Sequence, residues 1–413
     1  MPPHVKAAIR REETLMRYGG DGLCRVLAWT ADDRQLLGVA DGCGWPENPM
    51  GMVRRYRTSN LYWLGGDPTN ATIRQIPGYP EIPMSRLIED KSPYYGDLIF
   101  GASALAVDGC IYQFLATGRA WNPLAHPNER GSHFVDGMKL IYSPDNGETW
   151  HNQDGSTPVV LETRKQHSLD TLMWFEEPTG VMFGPFVQMG QDYRDNRDGY
   201  VYLSAPNGRT ASTQNQLVMC RVPKVRICVR EAYEFFAGLR PNGEAVWAEN
   251  VEDRGIVHTF PEGWSTHPVE LSAAWNPDIT YNAPLGIYMM HATHDLGRKG
   301  GWGAPYLGIW IAANPWGPWQ QIYEEEYFTV LGNPESIPFG IGVVPKWTSQ
   351  DGESYWVSFA ELTNIAGTPQ DLANYEAFYR QQTPEELWWQ RFRWRQHTPY
   401  FGFNAQRIDL VTS

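Results

Sequence analysis

The sequence predicts an all-β protein, a single β-propeller of five to seven blades, on three observations. The first is the run Tyr142-Ser143-Pro144-Asp145-Asn146-Gly147-Glu148-Thr149-Trp150. Its Ser-x-Asp-x-Gly-x-Thr-Trp order describes a hairpin turn held by its own side chains. Ser143 and Asp145 can accept backbone N–H groups, Gly147 supplies a positive φ, and Trp150 opens the returning strand. The second is self-similarity: a turn followed by alternating aromatic and aliphatic residues recurs at 33–40, 108–114, 198–203 and 351–357, three of these opening on Asp-Gly. The third is composition. With 18 Trp, 21 Tyr, 40 Gly and 31 Pro in 413 residues, the chain reads as aromatic strands separated by tight turns.

Taken in chain order, residues 1–18 read as an N-terminal extension and 19–413 as the propeller. Cys24 to Trp29 and Gln35 to Ala40 form the first hairpin. The period-2 patterns at 108–114 and 198–203 are half-buried antiparallel strands, and Leu285–Met290 and Tyr306–Ile311 are related strands without the Asp-Gly turn. Uneven spacing between the copies implies long loops, chiefly in 41–95, 119–138 and 239–270. Ile227 to Phe236 reads as a short helix or an irregular connector. Near 383–396 a helix is predicted: Thr383 is its N-cap, Pro384 fits its first position, and Glu386 completes a capping box. Trp388, Trp389, Phe392 and Trp394 would dock that helix on the propeller.

A net charge of −13 argues against nucleic acid, whose phosphates call for basic stripes. Abundant Trp and Tyr in an acidic chain instead suit stacking on the apolar faces of sugar rings. Cys24, Cys43, Cys110, Cys220 and Cys228 have no metal-ligand spacing, and the odd number points to free thiols. No window approaches a membrane span, and the first twenty residues hold no apolar stretch of signal-peptide length. The chain therefore reads as cytoplasmic, or as secreted if a leader precedes it.

The Ser143 to Trp150 run resembles the Asp-box of sialidase-like β-propellers. A wider likeness rests on Gly20-Asp21-Gly22, Gly38-Val39-Ala40-Asp41-Gly42-Cys43-Gly44-Trp45, Gly190-Gln191-Asp192-Tyr193, Arg197-Asp198-Gly199-Tyr200, Arg221-Val222-Pro223-Lys224, Tyr233 to Gly238, Trp275-Asn276 and Asn314-Pro315-Trp316-Gly317-Pro318-Trp319. Over residues 19–360 the chain resembles a propeller family known mainly as a domain of unknown function and related to endo-D-arabinanase-type glycoside hydrolases. After Asp21 it carries Gly22-Leu23-Cys24 where that family usually has Asn-Trp-Pro.

Hydrolysis of a glycosidic bond needs two carboxyl groups, one to protonate the leaving oxygen and one to activate water or attack carbon. Asp21 and Asp41 flank one predicted hairpin and so can share a rim of the first blade; the related hydrolases imply catalytic Asp residues near the chain start. The bland alternative is that both are turn residues, since each precedes Gly. A second constellation resembles ulvan-lyase-type propellers, in which β-elimination uses a His base, a Tyr acid and an Arg against the uronate carboxylate. Here the candidates are His133 or His126, Tyr193 and Arg209. A non-catalytic glycan-binding propeller is the third reading. Arg197, Trp45 and His167 complete the expected substrate-contacting set. A structural Ca²⁺ fits a propeller channel, but Asp192 to Asp198 lacks the glycine placement and terminal Glu of an EF-hand loop, and no specific ligand is expected. The expected partner is an oligosaccharide or polysaccharide.

Overall fold

The computed structural model describes residues 5–40, 42, 44–45, 57–83, 94–121, 134–175, 180–208, 215–261, 277–294, 306–334, 336–363 and 400–413. These strands form five antiparallel sheets. Blade one is β2 (Leu23–Trp29), β3 (Gln35–Ala40), β4 (Arg57–Gly65) and β5 (Thr72–Gln75), with β6 (Ile82–Pro83) on β4. Blade two is β7 (Tyr94–Val107), β8 (Cys110–Trp121), β9 (Phe134–Ser143) and β10 (His151–Asn152), with β11 (Trp174–Phe175) on β9. Blade three is β12 (Tyr200–Pro206), β13 (Gln216–Pro223), β14 (Glu234–Leu239) and β15 (Ala245–Ala248), with β16 (His258–Thr259) on β13. Blade four is β17 (Asp278–Asn282), β18 (Ile287–His294), β19 (Tyr306–Ala312) and β20 (Gln320–Glu325). Blade five is β21 (Ile337–Val344), β22 (Ser354–Thr363), β23 (Tyr400–Thr412) and, outermost, β1 (Val5–Gly19).

The segments 35–40, 108–114, 198–203 and 285–290 lie in blades one, two, three and four, and 351–357 runs into β22 of blade five. Residues 5–18, expected within an extension, instead belong to the outer strand of blade five, β1, registered along β23. Their charges hid the strand. Arg10 forks onto Glu325 at 2.6 and 2.9 Å, Arg11 reaches Asp409 at 2.6 Å and Arg17 reaches the buried Glu361 at 3.1 Å. An outermost strand paired through its side chains needs no apolar alternation. Joining the first and last strands in one sheet closes the ring, so the two chain ends stabilise the same blade.

Residues 227–236 resolve into a three-residue 3-10 turn at Arg230–Ala232 and the start of β14. The helix expected near 383–396 lies outside the described residues. Among those described, no helix is long and apolar enough to cross a membrane.

The Ser143 to Trp150 turn joins β9 to β10 on the outer side of blade two. Ser143 Oγ accepts Gly147 N at 2.8 Å, Asp145 Oδ1 accepts Thr149 N at 2.8 Å, and Gly147 has φ +85°. Trp150 is buried edge-on against Tyr79 of blade one, with centroids 5.2 Å apart. The turn thus locks two blades together and is remote from the axis.

Apolar side chains interleave between blades. Phe114 stacks on Phe186 at 5.2 Å, and Trp174 packs among Phe183, Tyr233 and Phe235. Each such fully buried ring contributes roughly 1.5–3 kcal/mol of transfer free energy. The cysteines Cys24, Cys110, Cys220 and Cys228 are free thiols.

Candidate functional site

The two ends of the propeller are chemically different. The innermost strand of blade three is the stretch 184–189, which lies antiparallel to β12 through Val187 N to Tyr202 O (2.9 Å) and parallel to β17 through Gln188 and Thr280. With β2, β7, β17 and β21 it surrounds the axis. One end of the molecule gathers the starts of these strands; the other gathers the first hairpin of each blade. We call them the strand-start end and the hairpin end.

Asp21 opens β2 at the strand-start end, and its side chain is wholly buried. Backbone sterics set its position. Gly20 and Gly22 have φ of +81° and +138°, which glycine adopts without strain. A Cβ on Gly20 would lie 2.6 Å from the Trp45 ring, and one on Gly42 would lie 1.9 Å from Asp21 O. Asp21 O accepts Gly44 N at 2.8 Å, and Gly22 N donates to Phe401 O at 2.9 Å, linking blade one to blade five. Trp45 is fixed by its indole N–H to Tyr18 O (3.0 Å) and by edge contacts with Tyr62 and Phe403. Ala40 O would lie 2.7 Å from a Cβ on Gly22. The residues on both sides of position 41 therefore border the Asp21 turn, while Asp41 itself lies outside the described residues.

Deeper along the axis sits a polar cluster that the sequence reading missed. Arg25, four residues into the chain from Asp21, is buried and donates to Ala102 O at 2.9 Å; its Nη1 finds no partner among the described residues. Asp278 heads β17. Its Oδ2 accepts Val343 N at 3.0 Å and Thr280 Oγ1 at 3.1 Å. Burial pushes this carboxyl above the usual carboxylate range, against those bonds and the pull of Arg25. Across the sheet Asp278 faces His291, whose Nε2 is 2.8 Å from Tyr355 Oη and whose pKa burial lowers to about 3. One signal was legible: Arg25 is the lone charge in Leu23-Cys24-Arg25-Val26-Leu27-Ala28-Trp29, an otherwise apolar strand. Along β2, Arg25 lies roughly 13 Å from Asp21 at the usual rise per residue.

The other expected residues are dispersed. Tyr193, expected to face the cavity, is 1% exposed; its hydroxyl accepts Tyr202 N at 3.4 Å, and burial holds the phenol neutral. Asp192 and Tyr193 both have positive φ, a tight turn anchored by Gly109 N donating to the Asp192 carboxylate at 3.0 Å. That turn packs the ring inward. Arg197 is at the hairpin end, 5.7 Å from the Tyr281 ring centroid. His167 is buried edge-on to Phe175, 5.7 Å between centroids, in the connection leading to β11. His126, His133 and Arg209 lie outside the described residues. Among the described residues no group of three or more His, Cys, Asp or Glu side chains converges as a metal site.

No family model and no curated protein matches the chain. Solved structures similar to it include a provisionally assigned hydrolase from Bacteroides ovatus, at 12% identity and TM-score 0.48, covering 95% of this chain and 86% of that one. Another is xylan β-1,4-xylosidase from Bacillus halodurans, at 10% identity and TM-score 0.44, covering 84% of this chain and 51% of that one. This chain spans about half the length of the xylosidase. A third is a GH62 hydrolase in complex with xylotriose, at 10% identity and TM-score 0.42, covering 94% and 92%. Likenesses at this level concern the path of the chain and not its chemistry.

Proposed function

We propose that the protein hydrolyses glycosidic bonds at the strand-start end, with Asp21 and Asp41 as the acid and base pair, in the manner of the hydrolase-related propeller family that its sequence resembles. The observation that carries this reading is the contact of Ala40 and Gly42 with the Asp21–Gly22 backbone. It supports two carboxylate-bearing residues meeting at one rim, supplied by opposite ends of a single hairpin. The mechanism requires their carboxyl groups roughly 5–10 Å apart, spanning retaining and inverting geometry. One would protonate the leaving oxygen while the other attacks carbon or activates water. Trp45, half-buried beside Gly20, offers a ring face next to that rim.

Elimination is less well supported. Tyr193 Oη meets β12 at Tyr202, toward the hairpin end, whereas Gly208, the residue before Arg209, follows the other end of that strand. Pro206 lies four positions beyond Tyr202, roughly 13 Å of strand. A phenol 1% exposed, with its hydroxyl on the β12 backbone, is poorly set to protonate a leaving sugar oxygen.

Incubation with neutral and uronate-containing oligosaccharides tests the choice. New reducing ends without ultraviolet absorbance from an unsaturated uronate support hydrolysis. That absorbance would reverse the ranking, and neither product with retained glycan binding would leave a non-catalytic propeller.

A further inference from the structure

The hairpin end carries a cavity of about 220 Å³ between blades three and four. It is smaller than the roughly 300–1,000 Å³ of sites for drug-sized ligands, and so suits one ring rather than a chain. Its aromatic wall is held rigidly. Tyr281 and Tyr288 lie 4.8 Å apart, and Trp316 packs edge-on to Trp247 at 5.7 Å and near Tyr202 at 6.0 Å. Behind that wall Arg221 is clamped between Tyr200 and Trp247, 4.0 and 4.3 Å from their centroids, and paired with Glu234 at 2.7 Å.

The polar lining divides into used and unused groups. Asp198 is consumed by its own turn, accepting Asn196 Nδ2 and Tyr200 N at 3.0 Å each and the Tyr202 hydroxyl. Asp195 is different. Its carboxylate accepts no hydrogen bond from any described residue, and burial pushes it above the usual carboxylate range although Arg194 and Arg197 pull it down. Arg197 makes no ion pair or hydrogen bond among the described residues and leans toward Tyr281. The Trp316 indole N–H is buried without a partner among them. An acceptor and a forked donor thus line a cavity walled in part by Tyr and Trp rings, with their capacity unspent. Two carboxylates against one guanidinium disfavour a phosphate or carboxylate ligand. Vicinal hydroxyls satisfy a carboxylate and a guanidinium together, and the C–H face of a sugar packs on Trp and Tyr rings.

We propose that this cavity is a second carbohydrate site, taking one neutral sugar ring, with Trp316 and Tyr288 against the ring and Asp195 and Arg197 on its hydroxyls. It lies at the opposite end from Asp21 and does not depend on the hydrolase reading.

Saturation-transfer NMR on the full chain with D-xylose, L-arabinose, D-galactose and D-glucose tests it. The expected result is saturation of at least one sugar by the wild-type chain and equally by Asp21→Asn. In Asp195→Asn, binding should weaken roughly tenfold or more, as loss of a charged hydrogen bond implies, with turnover of a short soluble glycan unchanged. Trp316→Ala should abolish saturation; where circular dichroism shows it unfolded, Trp316→Phe, which shortens the ring face against the sugar, takes its place and should weaken binding. The proposal is overturned if none of the four sugars binds, if binding survives Asp195→Asn, or if it is lost in Asp21→Asn. Failure of Asp21→Asn to affect turnover would count against the hydrolase reading alone.

Discussion

At the hairpin end of this propeller acidic side chains mostly serve their own backbone; at the strand-start end and along the axis, charged groups from different blades meet. Asp351 accepts Glu353 N at 2.9 Å, Asp198 accepts Tyr200 N at 3.0 Å, and Asp32 accepts Arg34 N at 3.4 Å. These bonds replace the ladder where a hairpin reverses. Asp278 instead answers Val343 of the next blade, Arg25 crosses to Ala102, and His291 to Tyr355. Local carboxylates close turns, and Asp278, buried on the axis, holds its carboxyl where water is scarce. Asp195 breaks the first pattern, which is why it marks a site.

The strongest way to break this comparison is Asp41→Asn. If position 41 belongs with Asp21, turnover should fall by roughly 10²–10⁴-fold, the scale of acid–base catalysis, with little change in melting temperature. A matching loss of folding would return Asp41 to the turn residues.

Arg25→Ala comes next. Removing one partner of a buried charge pair costs roughly 3–5 kcal/mol, and urea unfolding should show it. Asp278→Asn, which keeps an acceptor for Val343 N, should cost less. Additive costs in the double variant would show that Arg25 and Asp278 do not act as a pair.

Acid sensitivity sharpens the same point. His291 has its pKa lowered from 6.5 to about 3 by burial, so between those values the unfolded chain binds a proton that the native state refuses. Stability should therefore fall as pH drops through 6.5, by up to about 1.4 kcal/mol per pH unit. Asp278, raised by burial, acts with the opposite sign: its native form keeps its proton to higher pH, so its contribution declines as pH rises above 3.8. His291→Gln should flatten the acid limb of a denaturation series. An unchanged limb would assign it to other groups, of which His258, lowered to about 4 by burial, is the first to examine.

The smallest expected effect is at the outer turn. Ser143→Ala removes one acceptor for Gly147 N and should cost about 1 kcal/mol without affecting turnover. A larger loss would mean that the turn's grip on Tyr79 and blade one depends on that hydroxyl.

Much of the architecture was legible from residues alone because it is local. Alternation in 108–114 and 198–203, the Asp-Gly turns that open them, and the side chains of Ser143 and Asp145 act within a few residues, so they can be read along the chain. The Asp198-Gly199 turn and the turn alternative for Asp21 before Gly22 belong to this class. Tyr193 shows the limit: Gly190-Gln191-Asp192-Tyr193 carries part of the family likeness, but nothing local says that two left-handed residues swing the ring into the core.

What the sequence by itself determined is the all-β class, the hairpin chemistry and the candidate Asp21 at the head of the first strand. Blade number, the recruitment of residues 5–19 to blade five, and the meeting of Arg25, Asp278, His291 and Tyr355 were decided only by tertiary structure. The physical reason is range. Turn hydrogen bonds and strand periodicity are set by neighbours in the chain, whereas the cost of burying a charge depends on groups hundreds of residues away that ring closure brings to the axis.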